Sequence, residues 1–188
     1  MDRKTLERLI VEALQKTNFT RAVDLAFTYG YRTAPSIASG LEMWTRDVRF
    51  LELMFGNTPW LLAAVPQDVQ GQLRLIAGLW HLLGKQEALQ IVRLANGHLP
   101  GTHIGSHWAP DMFLRHAEFL AMMETLRERA AQRPGLRLAI RTAGDDFVCQ
   151  ACRQMAKMRY KLHDDFELPN PLCTCKMGCR CHIHPTIY

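Results

Sequence analysis

"LRLAIRTAGDDFVCQACRQMAKMRYKL", residues 136–162, divides the chain into two textures. Leu136, Leu138 and Ile140 alternate with Arg137 and Arg141, and Met158, Tyr160 and Leu162 alternate with Arg159 and Lys161. A period of two predicts two short strands. Between them stand Cys149 and Cys152, whose two-residue separation lets both sulfurs of one turn face one ion. Upstream the pattern is helical throughout, and Pro134 and Gly135 mark the change. The expected fold is mainly α: a helical bundle or hairpin body over 1–133, and a small zinc-ribbon-like β tail over 134–188.

In the body, Leu6, Leu9, Ile10, Ala13 and Leu14 keep helical spacing, and Thr20 is the expected cap of a second helix that ends near Gly30. After Pro35 the segment 41–55 places Trp44, Val48, Leu51 and Phe55 on one face. Thr58 and Pro59 have the cap-then-proline form that starts a brief helix. Asp68 opens a longer one, carrying Val69, Leu73, Ile76, Trp80 and Leu83 as far as Gly84. Ala88, Val92, Ala95 and Pro100 have the spacing of the second helix of a tetratricopeptide repeat, but no second copy recurs. The segment therefore reads as a helical hairpin. A last helix, 110–133, has Met112, His116, Phe119, Leu120 and Met123 on one stripe. Trp44, Trp60, Trp80 and Trp108 fall one per helix or helix start, as packing residues do.

The chain has 188 residues, 48% hydrophobic and 22% charged, which describes a globular protein. Its apolar runs are short, and the N-terminus lacks the apolar segment of a secretory signal, so a cytoplasmic protein without membrane contact is expected. In a reducing compartment, close cysteines are more often metal ligands than disulfides. The net charge of +5 is uneven: residues 1–126 hold 12 basic and 12 acidic side chains, whereas 127–188 hold 11 and 6. A tetrathiolate zinc site would reduce the tail's excess to about +3.

The second donor set lies about twenty residues on, in "PLCTCKMGCRCHIHPTIY" (171–188): Cys173, Cys175, Cys179, Cys181, His182 and His184. A thioredoxin-like redox role would need a βαβ context, which is absent. A catalytic zinc would need an open position and a nearby base. No HExxH pattern occurs, the CxxC lacks the preceding proline of the deaminase signature, and surplus thiolates favour a closed structural site. His98, His103, His107 and Asp111 recur at four- and five-residue intervals, but Gly101, Gly105 and the flanking prolines predict a loop. Asp145 and Asp146 read as a charged turn before the knuckle.

Residues 140–181, "IRTAGDDFVCQACRQMAKMRYKLHDDFELPNPLCTCKMGCRC", resemble the cysteine-rich C-terminal segment of phage head-morphogenesis (minor capsid) proteins and their bacterial relatives. The shared order is apolar strand, TAGDD-type turn, CxxC, basic-apolar strand, proline-rich approach and closing GCRC. The chain departs from that pattern in "MAKM" after the CxxC and in the added Cys175, and its helical body has no counterpart there. The resemblance implies a metal-stabilised tail in which the position of Cys173 is a ligand. The implied Zn2+ ligands are Cys149, Cys152 and Cys173 with one of Cys179 and Cys181. One of those last two is expected to coordinate while the other packs. Cys175, His182 and His184 stand as substitutes.

The expected function is a non-catalytic, zinc-stabilised binding protein acting on DNA, single-stranded DNA included, in a genome-maintenance or repair accessory role. Arg133, Arg137, Arg141, Arg153, Lys157, Arg159 and Lys161 are the candidate phosphate-binding residues. The alternative is a protein–protein assembly factor related to the head-morphogenesis proteins. A metal-dependent enzyme built on the His98–Asp111 loop is a third reading.

Overall fold

Two side-chain caps start the fold. Asp2 accepts the amide of Thr5 at 3.0 Å and opens α1 (Arg3–Gln15), which buries Leu6, Ile10, Ala13 and Leu14. Asn18, not Thr20, caps α2 (Phe19–Thr28) by accepting the amide of Arg21 at 3.0 Å. Thr17 takes a left-handed φ of +52°, so the chain reverses early enough to leave Thr20 inside the helix. The computed structural model describes residues 2–32, 37–93, 97–130 and 135–187, so Pro35, Ala95, Arg133 and Pro134 lie outside the described residues.

α3 (Ile37–Gly56) packs Trp44, Val48, Leu51 and Phe55 against the core, as its period requires, and also buries Asp47. Thr58 caps nothing: its hydroxyl donates to Gln70 and accepts from Arg74, while a single 3-10 turn spans Trp60–Leu62. Trp60, the first residue of that turn, is largely exposed, which corrects its reading as a packing residue. α4 (Gln67–Leu83) and α5 (Lys85–Ile91) form the expected hairpin about Gly84, whose φ of +99° glycine tolerates best. α6 (Ala109–Arg129) buries Met112, His116, Phe119 and Met123.

β1 (Leu136–Arg141) and β2 (Arg159–Tyr160) are the two strands read from the alternation. Between them Cys149 caps a short helix, α7 (Gln150–Lys157). A third strand, β3 (His182–Ile187), completes an antiparallel sheet of order β2-β1-β3, with Leu138 opposite both Tyr160 and Pro185. The protein is thus mainly helical with a small antiparallel sheet near its C-terminus. No helix among the described residues is long and apolar enough to cross a membrane.

One continuous cluster of buried residues runs from Leu6 to Cys181. Three contacts seat the sheet and cysteine lobe on the helices. The Nδ1–H of buried His116 donates to the carbonyl of Leu168 at 2.9 Å, Glu167 accepts the amide of Trp60 at 3.0 Å, and Phe166 meets Phe119 edge-on. The fourth contact is steric. Gly178 has a φ of +75°, and a methyl group there would come within 2.6 Å of the Met112 Cε. Met112 is fully buried and has little room to yield. Gly178→Ala is therefore expected to cost about 1–3 kcal/mol by overpacking and backbone strain, read as a lower urea midpoint at unchanged m-value.

Candidate metal centre

The CxxC turn works because its two cysteines sit at the N-cap and third positions of α7. Cys149 is extended, with φ −71° and ψ 163°, and the helix that starts after it turns Cys152 back toward the same side. From the other direction, residues 169–181 wrap round these sulfurs as irregular chain. Asn170 directs the wrapping. Its side-chain oxygen accepts the amide of Leu172 at 3.0 Å, its own amide donates to the Cys179 sulfur at 3.2 Å, and its carboxamide lies 3.7 Å from the Cys152 sulfur. Sequence reasoning missed this residue; the signal was an Asn between two prolines just before the cysteines.

All six cysteine sulfurs converge. Those of Cys149, Cys152, Cys173 and Cys175 lie within 4.8 Å of one another, and those of Cys152, Cys179 and Cys181 do likewise, so the lobe could hold a metal ion. Cys175 thus belongs with the first set. Cys179 and Cys181 are not divided between coordinating and packing roles: two residues apart, they fall on one side of the chain, and both sulfurs lie near that of Cys152. His182 and His184 stand on β3, opposite Arg141 and Ala139, and belong to neither set.

Amide hydrogens are aimed at the sulfurs. Thr174 donates to Cys149, Cys149 to Cys175 and Cys175 to Cys173, each at 3.3 Å. Burial opposes ionisation of Cys149, but the amides of Cys152 and Thr174 outweigh it and bring its pKa down to about 6. Cys179 is pushed down by the neighbouring thiols of Cys152, Cys173 and Cys181, whereas Cys173 and Cys181 are pushed up by contact with Cys152 and Cys179, and Cys175 by burial. Packed this closely, the thiolates cannot all carry charge unless a cation lies between them.

Asp145 ties the two halves of the site together. Its carboxylate accepts both Nη groups of Arg180 at 2.6 and 2.7 Å and the amide of Phe147 at 3.1 Å. The acidic turn before the CxxC is therefore clamped to the GCRC segment. The histidine loop is a loop, closed by a bridge between His98 and Gly105, with His98, His103 and His107 exposed. Asp111 instead pairs with Arg115 at 2.6 Å. None of the three histidines joins a potential metal group among the described residues.

Strand register sorts the basic residues. Arg137, Ala139 and Arg141 share one face of β1; Arg159 lies opposite Ala139 on β2, and His182 and His184 lie opposite Arg141 and Ala139 on β3. Three arginines and two histidines thus share one sheet face, while Leu138 and Ile140 face the core. Arg153 and Lys157 are exposed one turn apart on α7, and Lys161 is exposed just beyond β2. A cleft of about 900 Å3 opens beside this lobe, with Asp47, His81, Arg115 and His182 among the residues that line it.

No family model, curated protein or solved structure matches the chain. The likeness of residues 140–181 to the head-morphogenesis tail rests on the order of its motifs alone.

Proposed function

We propose that the protein is a non-catalytic, zinc-stabilised module that binds nucleic acid through the cationic face of its sheet. The observation that carries this reading is the collection of Arg137, Arg141, Arg159, His182 and His184 on one face. Three guanidinium groups on one face give it a standing positive charge, to which a phosphate backbone supplies the anions. Zinc is the metal that suits an all-thiolate donor set with tetrahedral spacing. The exposed Arg153, Lys157 and Lys161 extend the basic surface, and the acidic Asp164 and Asp165 border it.

Fluorescence anisotropy with single-stranded and duplex DNA tests this. Metal-loaded protein is expected to bind at about 50 mM salt and to weaken steeply by about 200 mM. The variant R137A/R141A/R159A should flatten the log–log salt slope by about 0.7–0.9 for each phosphate that is no longer neutralised. Absence of binding at low salt, or a triple variant indistinguishable from wild type, would refute it.

A protein-assembly role is favoured by a different observation. Phe147 is 69% exposed and Leu172 76% exposed, each within two residues of a cysteine, and Met158 is exposed at the end of α7. Large apolar groups placed this way suit a protein partner.

A further inference from the structure

We propose that the six cysteines form one binuclear centre, holding two zinc ions that share the thiolates of Cys152 and Cys173. A tetrahedral site takes four sulfurs, and Cys149, Cys152, Cys173 and Cys175 supply them. A single ion would leave Cys179 and Cys181 as buried thiols against the cluster, exposed by only 0% and 4%. They are placed as ligands would be. Their sulfurs and that of Cys152 lie within 4.8 Å of one another, and the sulfur of Cys173 touches that of Cys179. Cys152, Cys179 and Cys181 therefore supply three corners of a second tetrahedron, and Cys173, lying against both Cys152 and Cys179, is the sulfur placed to close it as a second bridge.

Two distances fit this arrangement. A zinc–sulfur bond of about 2.3 Å gives a tetrahedral edge of about 3.8 Å. Cys149 and Cys173 in the first set are 4.0 Å apart, and Cys152 and Cys179 in the second are 3.9 Å apart. Six thiolates on two divalent ions leave a net charge of −2, the charge of an ordinary tetrathiolate zinc site.

This inference rests on the cysteines binding metal and not on nucleic-acid binding, and metal stoichiometry separates the two levels. Native mass spectrometry of protein purified with zinc should show two ions per chain, with no thiol free to react until acid or chelator is added. After exchange with 113Cd, the NMR spectrum should show two cadmium resonances split by coupling through shared sulfurs. One ion per chain with two reactive thiols would overturn the binuclear centre and leave the metal reading standing, and a chain without metal would overturn both. Two cadmium signals without mutual coupling would also overturn it. In Cys181→Ser, which removes a donor unique to the second set, one ion should be retained. Should that variant not fold, the wild-type cadmium spectrum decides alone.

Discussion

Chelating the metal is expected to open the C-terminal lobe while the helical body stays folded. Hydrogen exchange should show amides of residues 149–181 losing protection as those of α4 and α6 keep theirs, and added zinc should restore it. The reason lies in what fills the lobe. Its buried apolar side chains are few: Leu136, Leu138, Ile140, Val148, Tyr160 and Leu168 are the large ones, and much of the remaining interior is sulfur. A core this small cannot offset the chain entropy of a loop such as 161–181, which has no regular secondary structure. Structural zinc contributes about 10–16 kcal/mol in small metal-dependent domains, more than enough to decide whether such a loop is ordered. Cys152→Ser should have the largest effect of any single substitution, because the Cys152 sulfur belongs to both groups of neighbouring sulfurs. An exchange pattern unchanged by chelation would sink the metal reading.

The second large effect is expected at Asp47. This carboxylate is almost completely buried, with 1% of its side chain exposed, and both its oxygens accept from Arg32 at 2.7 and 2.8 Å. His81 approaches it at 3.1 Å and stacks on Phe50, so α3, α4 and the segment after α2 meet at one charge. Asp47→Ala leaves Arg32 without its partner in a partly buried position and is expected to cost about 3 kcal/mol, measured by urea unfolding. Burial alone would raise the Asp47 pKa, but the hydrogen bonds from His81 and Arg32 win and hold it at about 2, below the ordinary 3.8. A depressed carboxylate stabilises the fold above its unfolded pKa and loses that contribution as pH falls through the folded value. About 2 kcal/mol should therefore disappear between about pH 4 and pH 2, and the stability profile of Asp47→Ala should be shallower over that interval. Equal acid sensitivity in variant and wild type would refute this assignment.

The helical body was legible because amphipathic periodicity is a local signal that tertiary packing reinforces; Leu6, Ile10 and Leu14 lie where their spacing puts them. The misses have physical causes. α7 is eight residues long, too short to form on its own, and exists because Cys149 and Cys152 are gathered at its start. β3 reads "HIHPTI", with a proline and two histidines, and becomes a strand only because β1 offers a free edge. Cys179 and Cys181 are two residues apart, a spacing that puts both on one side of extended chain, so the sequence offers no reason to divide them, and both sulfurs join Cys152. The importance of Asn170, Asp145 and Asp47 depends on partners 9 to 35 residues away, and no spacing rule reaches that far.

The position of Cys181 has a consequence for strand register. Its sulfur is fixed among the other cysteines, and the next residue begins β3. A strand with so weak an alternation would ordinarily be free to slip along its neighbour, and a slip of one residue exchanges its two faces. Here a slip would draw Cys181 out of the cluster and carry His182 and His184 away from the arginine-bearing face. The cysteines thus index the sheet: which side chains that face displays is decided at the sulfur cluster and not by the strand's own sequence.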